Sequence, residues 1–184
     1  MKIINSKHIK LDSRKNEFLT ASPFPFLVLD DFLEQDFFYN LKNTFINTER
    51  ETEGRSFNSS VEEKKWISLN SSLPRVVNQV VEELNSDAWV ENIRRLTGID
   101  SLITTPRGNT ELANYHVMEP GAILGPHVDH SHEPTSGIPH VLNTLVYLSE
   151  NWNSEDGGST LLYNKTGNKF VSKVNYIPNR AIIF

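Results

Sequence analysis

Histidine and aspartate stand two residues apart at His127 and Asp129, inside the segment GAILGPHVDHSH. On a β-strand, residues with this spacing point to the same face, so their side chains are expected to converge. An imidazole and a carboxylate are two of the three ligands in the 2-His-1-carboxylate set that binds non-haem Fe(II). The third ligand is usually a histidine well downstream, but no histidine follows His140. The sequence therefore predicts an iron-type site of which only two ligands can be named.

Three other histidines stand close to this pair along the chain. His130 is adjacent to Asp129 and would face the other way on a continuing strand. His132 follows His127 by five residues, and its Ser-His-Glu-Pro context is more typical of a loop. His140 begins an apolar run and is interpreted as a pocket residue. The alternative interpretation of the whole tract is a polar loop whose histidines are solvated or cap nearby backbone groups.

The composition is that of an ordinary soluble domain. With 184 residues, 38% of them hydrophobic and 22% charged, we predict one domain that spans residues 1–184. The net charge of -5 argues against a nucleic acid or an anionic membrane as the partner, and no apolar run approaches the roughly 20 residues of a membrane span. The absence of cysteine excludes disulfides and thiolate chemistry, and it fits a cytoplasmic protein.

The elements that must position the histidine and the aspartate begin with a helical region. Residues 1–22 are polar and are predicted to form a lead-in strand or arm. Residues 23–100 are predicted to be a helical support, with a strand at 26–29 and helices near 37–45, 72–84 and 87–97. Within this support, the polar segment 48–65 is interpreted as a surface loop.

Residues 101–184 have a different residue pattern from the helical region, because short β-rich runs alternate there with Gly, Pro, Asn and Asp. The predicted strands are 112–117, 122–127, 141–148, 159–163, 169–177 and 180–184. Several short strands at such spacing are typical of a β-sandwich or barrel. The predicted fold class is therefore α+β, with helices in front of a β-sandwich.

Five segments occur in an order that resembles a known family. They are PFPFLVLDDFL at 23–33, HVDH at 127–130, TLVYLSENW at 144–152, DGGSTLLY at 156–163 and VNYIPNRAIIF at 174–184. Together they resemble the 2-oxoglutarate/Fe(II)-dependent dioxygenases, in particular the prolyl 4-hydroxylase-like branch. The resemblance covers residues 23–184, and the ordered set is more specific than any one of its segments.

The resemblance implies a fold, a reaction and roles for five residues. The implied fold is a double-stranded β-helix of jelly-roll or cupin-like shape, with N-terminal helices packed on it. His127 and Asp129 would bind Fe(II), Tyr147 would contact the 2-oxoglutarate carboxylate, and Thr160 would line the co-substrate pocket. Tyr115 is a poorer match to a second pocket tyrosine. The implied reaction decarboxylates 2-oxoglutarate to succinate and hydroxylates a peptidyl proline or a small molecule, with ascorbate as a possible additional requirement.

Two features of the family have no counterpart in this sequence. The distal histidine and the basic residue that anchors 2-oxoglutarate would both follow the strand matched by 180–184. We therefore expect a partial β-sandwich core at 101–184 that lacks two core strands and leaves the metal pocket open on one side. Two alternatives remain. The first is a non-enzymatic, cupin-like metal-binding β-sandwich with His130, His132 or His140 as the third ligand. The second is an inactive, truncated fragment.

Overall fold

Four α-helices and eight short strands make up the part of the chain that the structure describes. The computed structural model describes residues 2–48, 54–68, 74–105, 115–134, 136–150 and 152–184. The helices are α1 (Lys15–Thr20), α2 (Gln35–Thr48), α3 (Arg75–Leu84) and α4 (Asp87–Thr97). The strands are β1 (Leu27–Leu29), β2 (Gly54–Phe57), β3 (Glu62–Ser68), β4 (His116–Leu124), β5 (Thr144–Val146), β6 (Thr160–Tyr163), β7 (Phe170–Val174) and β8 (Ala181–Ile183). The predicted α+β class is confirmed.

The central sheet is antiparallel, with β8 between β1 and β5. All three residues of β8 are buried, because apolar clusters cover both faces of this strand. Ala181 and Ile183 pack into the cluster on the helical side, whereas Ile182 packs into the cluster on the opposite side. This alternation follows from the two-residue period of a strand. A run of apolar residues without polar interruption is therefore typical of this central position.

The helices supply most of the larger cluster, and the sequence predicted α2, α3 and α4 correctly. Phe37 and Leu41 of α2 are fully buried, as is Leu96 of α4. Helix α3 begins at Arg75, three residues later than expected, and Gly98 ends α4 in a left-handed conformation with φ +78°. Glycine adopts this conformation without a Cβ penalty, which is why it is a stop signal at a helix C-terminus.

Residues 2–22 are largely helical rather than an extended strand or arm, with Ile4 in an isolated bridge to Leu33. They contain two short 3-10 turns and α1, and Leu11 and Phe18 are buried. Buried Asn92 of α4 accepts from the Leu11 amide at 2.8 Å and donates to the His8 carbonyl at 2.7 Å. The lead-in was predicted from its polarity alone, but these bonds and two apolar side chains fix it to the helical core.

The interpretation of residues 48–65 as a loop is wrong for the described part, 54–65. Strands β2 and β3 form a hairpin, and β3 also pairs with β4 to give the sheet order β2-β3-β4. At the turn, the Ser59 hydroxyl accepts from the amides of Val61 and Glu62. The glutamates and lysines of this segment obscure the strand pattern. The strand forms because it pairs with β4, a segment about fifty residues away in the sequence. Tertiary pairing thus overrides the local signal.

Strand β4 replaces two strands that the sequence predicted separately. The strand continues through Pro120 and Gly121, and its register with β3 shifts between Glu63 and Lys65. Gly121 has φ +77°, which a glycine tolerates at such a bulge. The strand ends at Leu124, so the histidine–aspartate pair lies in irregular backbone rather than on a strand. Positions 112–114 of the predicted first strand lie outside the described residues.

The remaining strands, β6 and β7, form a separate antiparallel hairpin. The described strands thus form two sheets of three strands and one of two. The predicted strand 141–148 is shortened to Thr144–Val146, although Asn143 continues the ladder through two backbone bonds with Phe184. No helix in the described ranges is long and apolar enough to cross a membrane.

Candidate metal and co-substrate site

His127 and Asp129 converge although neither is on a strand. The His127 Nε2 atom lies 3.5 Å from Asp129 Oδ1, and the two side chains are 45% and 43% exposed. Both are therefore accessible from solvent, and their donor atoms face the same space. The sequence predicted the convergence correctly but for the wrong reason, because the backbone after β4 bends instead of extending.

The imidazole of His127 is oriented by its own loop. Its Nδ1 atom lies 2.8 Å from the carbonyl oxygen of Gly125. A carbonyl oxygen only accepts, so Nδ1 carries the proton. In the neutral form of the ring, the lone pair is then at Nε2, on the side of Asp129. This is the tautomer that binds a metal through Nε2 while the other ring nitrogen is held by a backbone acceptor.

Asp129 is oriented by a residue distant in sequence. The side-chain amide of Asn143 donates to Asp129 Oδ2. The other carboxylate oxygen, Oδ1, is the one that faces His127. The sequence gave no reason to select Asn143, because it stands among apolar residues at the start of the predicted strand. Its importance follows only from the approach of the loop to β5.

Two histidines of the following loop, His132 and His140, are directed to other groups. Both ring nitrogens of His140 face backbone carbonyl oxygens, His130 O at 3.0 Å and Leu142 O at 3.2 Å. Nδ1 of His132 lies 2.9 Å from the Ser131 hydroxyl. In the described ranges, no group of three His, Cys, Asp or Glu side chains could hold a metal ion. The chain there offers a pair of ligands rather than a triad.

His116, which the sequence analysis did not select, is electrostatically linked to this pair. Burial lowers the pKa of His116 to about 4, helped by Lys65 and His127 and opposed by Asp129 and Glu62. The His116 residue as a whole is nevertheless exposed to solvent, which weakens this effect of burial, and its imidazole is neutral at pH 7 with a pKa below 6.5. A neutral imidazole beside the histidine–aspartate pair can donate or accept a hydrogen bond.

Lys65 lies on the same sheet face as His116. His116 pairs in register with Ile67, two residues from Lys65, and alternate residues share a face. The Lys65 ammonium is 2.6 Å from Glu62 Oε1 and 5.5 Å from the centre of the Phe57 ring. This buried cation is therefore already compensated by a carboxylate.

Tyr147 and Thr160, which the resemblance assigned to the co-substrate pocket, contact each other. Their hydroxyl oxygens are 2.5 Å apart. Burial raises the pKa of the Tyr147 phenol, although the hydrogen bonds with Thr160 oppose the shift. The phenol is therefore protonated at neutral pH and can donate to a carboxylate.

An aromatic stack holds the Tyr147 ring. Tyr176 stacks on it with ring centres 4.5 Å apart, and Trp152 lies 4.7 Å from Tyr176 on a tilted plane. Gly158 has φ +69°, and a Cβ there would lie 2.8 Å from the Trp152 ring. In the Asp-Gly-Gly segment the backbone thus passes close to an aromatic ring, so the segment is more than a simple hairpin turn.

Tyr115 lies on a different side of the molecule from this stack. It packs against the helical cluster, whereas Tyr147 belongs to the cluster on the opposite face of the central sheet. Its backbone bonds the Ser68 hydroxyl, with the Tyr115 amide 3.2 Å from Ser68 Oγ. Its role in co-substrate binding stays a prediction.

Comparison with known proteins supports the resemblance drawn from the sequence. Residues 111–184 match the family model of the 2OG-Fe(II) oxygenase superfamily. The fold is similar to the crystal structure of a Pseudomonas putida prolyl-4-hydroxylase, with a TM-score of 0.62 and 16% sequence identity over 95% of this chain and 85% of that one. Among curated proteins, none matches. The expected likeness to this superfamily is confirmed over residues 111–184, and the likeness to the prolyl-4-hydroxylase is one of fold.

Proposed function

Because residues 111–184 carry the sequence pattern of the 2OG-Fe(II) oxygenases, we propose that this chain is an Fe(II)- and 2-oxoglutarate-dependent hydroxylase. We place His127 and Asp129 as two of its metal ligands. The observation that carries the proposal is the 3.5 Å separation of His127 Nε2 and Asp129 Oδ1 inside the matched region. The substrate is a peptidyl proline or a small molecule, with the former favoured by the similarity to a prolyl-4-hydroxylase.

The residues present fit such a metal. Two ligands that bind one ion at about 2.1 Å and at right angles stand roughly 3 Å apart. The 3.5 Å separation of the two atoms is within a small side-chain adjustment of that distance. One imidazole nitrogen and one carboxylate oxygen suit Fe(II). The pair leaves the other positions of the ion to a further donor, the co-substrate and water.

The fold that supports the site is proposed to be a double-stranded β-helix. The similarity to a prolyl-4-hydroxylase and the two-sided burial of β8 favour it, because a strand inside such a sandwich is covered on both faces. Within it, Tyr147 and Thr160 are proposed to face the co-substrate. A protonated Tyr147 phenol would donate to a carboxylate of 2-oxoglutarate, and the Thr160 hydroxyl would orient that phenol.

The residues of the chain would bind, orient and hold protons around the metal. When bound, Fe(II) with 2-oxoglutarate and oxygen supplies the oxidative decarboxylation that is coupled to hydroxylation of a C–H bond. His127 keeps its proton at Nδ1 through the Gly125 carbonyl, which leaves Nε2 for the metal. Asp129 would supply the negative charge that a divalent ion requires, and neutral His116 would add no positive charge to its surroundings.

The first prediction concerns the ligands. We expect His127→Ala, Asp129→Ala and Asp129→Asn each to abolish binding of Mn(II), used as a probe for Fe(II), and Fe(II)-dependent formation of succinate from 2-oxoglutarate. Asp129→Asn should fail because a neutral amide is a much weaker ligand for a hard cation. Electron paramagnetic resonance measures the free Mn(II), and a coupled assay with and without ascorbate measures the succinate.

The matched control is His132→Gln, which changes a histidine of the same loop whose ring is paired with Ser131. It should leave Mn(II) binding and succinate formation intact. Mn(II) binding without any succinate would favour the non-enzymatic metal-binding alternative. Undiminished binding in Asp129→Ala would move the metal site elsewhere, and no binding by the unmodified chain would favour an inactive fragment.

A further inference from the structure

Asn143 connects the proposed carboxylate ligand to the central sheet. Its side-chain amide contacts Asp129 Oδ2. An ionised carboxylate only accepts hydrogen bonds, so the amide nitrogen, and not its oxygen, must face Asp129. Asp129 therefore has one oxygen held by Asn143 and the other directed towards His127.

The backbone of Asn143 is fixed at the point where β5 meets the end of β8. Its amide donates to the Phe184 carbonyl at 2.8 Å, and its carbonyl accepts from the Phe184 amide at 3.1 Å. Asp129, by contrast, lies in irregular backbone with a side chain that is 43% exposed. A partly exposed carboxylate on a loop rotates easily, and immobilising it costs entropy. The Asn143 side chain thus links the ordered sheet to the loop and restricts the rotation of the Asp129 carboxylate.

The two proposed ligands are oriented by independent means. His127 is held by the carbonyl of Gly125, two residues away in the same loop. Asp129 is held across fourteen positions of sequence by β5. Loss of Asn143 would therefore free the carboxylate while leaving the imidazole in place. It would also allow both carboxylate oxygens to approach the same ion.

We propose that Asn143 is a positioning residue that restricts Asp129 to one metal-facing oxygen and so raises the affinity of the site for a divalent cation. This inference rests on the proposed function. Removing groups that orient metal ligands typically lowers metal affinity by about 10- to 100-fold. We expect a loss of that size in Asn143→Ala. We expect the same loss in Asn143→Leu, which keeps roughly the size of the side chain but cannot donate a hydrogen bond.

The experiment titrates the full 184-residue chain and both variants with Mn(II), and follows the bound ion by electron paramagnetic resonance. Asn175→Ala is the matched control, since Asn175 is an exposed asparagine of the same β-rich region. At saturating Co(II), the visible absorption bands should shift in Asn143→Ala and not in the control. A purely structural role of Asn143 would change the unfolding temperature of the metal-free chain but not these bands.

The outcomes separate the two proposals. If the unmodified chain binds no Mn(II), the proposed function fails and the role of Asn143 fails with it. If the unmodified chain binds Mn(II) and both Asn143 variants bind it equally tightly with unchanged Co(II) bands, only the role of Asn143 is overturned. If Asn143→Ala does not fold, Asn143→Leu, which roughly preserves the size of the side chain, decides the question alone.

Discussion

At the scale of single residues, the candidate site consists of side chains that are each oriented by one specific partner. His127 has a backbone carbonyl, Asp129 has the amide of Asn143, and Tyr147 has the hydroxyl of Thr160. These partners come from three different parts of the chain. Binding of a small co-substrate benefits from such order, because the side chains that contact it lose little further freedom when it binds.

The second prediction tests the contact between the two hydroxyls. We expect Tyr147→Phe to raise the Michaelis constant for 2-oxoglutarate by about 10- to 100-fold. The reason is that the variant loses a hydrogen bond to a charged group, which is worth about 1.5–3 kcal/mol. Thr160→Val should raise it by less, and the double variant should be no worse than Tyr147→Phe alone, since the two groups act as one unit. Initial rates of succinate formation at varied 2-oxoglutarate measure this. Strictly additive effects would show that the two hydroxyls act independently.

At the scale of elements, the turn before β8 fixes the position of Tyr147. The Asn179 amide donates to the Tyr147 carbonyl at 2.8 Å, and the Tyr147 amide donates to the Arg180 carbonyl at 2.9 Å. The Asn179 side chain accepts from the Leu33 amide at 2.8 Å and donates to the Leu33 carbonyl at 3.0 Å. Asparagine tolerates the left-handed φ of +62° at this position. The turn thereby connects the segments that follow β1 and β5 to the start of β8, around one buried polar side chain.

The third prediction concerns this turn. We expect Asn179→Ala to lower the free energy of unfolding by about 3 kcal/mol, because it leaves two buried backbone groups of Leu33 without partners and strains the backbone. Asn179→Gly should cost less, about 2 kcal/mol, since it removes the bonds but tolerates the positive φ. Urea denaturation measures both. Equal losses in the two variants would show that the left-handed conformation contributes nothing, and Asn175→Ala serves as a control expected within about 0.5 kcal/mol of the unmodified chain.

At the scale of the whole molecule, the N-terminal segment and the C-terminal strand share one core. The larger cluster contains Leu11 and Phe18 from the N-terminus, side chains of α2 to α4, and Ala181 and Ile183 of β8. His8 seals its edge, with its ring 2.9 Å from the Asp30 carbonyl. Such a core makes stability dependent on the protonation of groups at its boundary.

The fourth prediction is a pH dependence of stability. Burial lowers the pKa of His8 below its ordinary value of 6.5. Because the unfolded chain then takes up this proton more readily than the folded chain, stability is fully present above pH 6.5 and falls as the pH drops below it. His116, whose pKa is lowered to about 4, acts in the same direction, but its contribution is smaller because the residue is exposed to solvent. We expect the free energy of unfolding to be lower at pH 5 than at pH 7.5.

His8→Gln and His116→Gln should each reduce this difference, whereas His132→Gln, in an exposed loop, should not. Urea denaturation at the two pH values measures the slopes. A slope that is identical in the unmodified chain and in both variants would contradict the assignment of these two histidines.

The sequence by itself determined the elements whose signal is local, together with the pair of residues at the centre of the site. Apolar periodicity predicted α2, α3 and α4, and an apolar run predicted β8. The i, i+2 spacing selected His127 and Asp129, and the ordered motifs indicated the superfamily that residues 111–184 match. These features could be inferred because helix periodicity, glycine stop signals and short motifs are encoded within a few neighbouring residues.

Only the tertiary structure decided how the pair is held and what surrounds it. The β2–β3 hairpin exists because β4 pairs with it, and Asn143 and His116 become relevant because distant segments approach the loop after β4. A hydrogen bond between residues fourteen positions apart, or a charge acting across a sheet, leaves no periodic pattern in the sequence. The sequence thus specified which side chains could do chemistry, and the packing of loop against strand decided which atoms face one another.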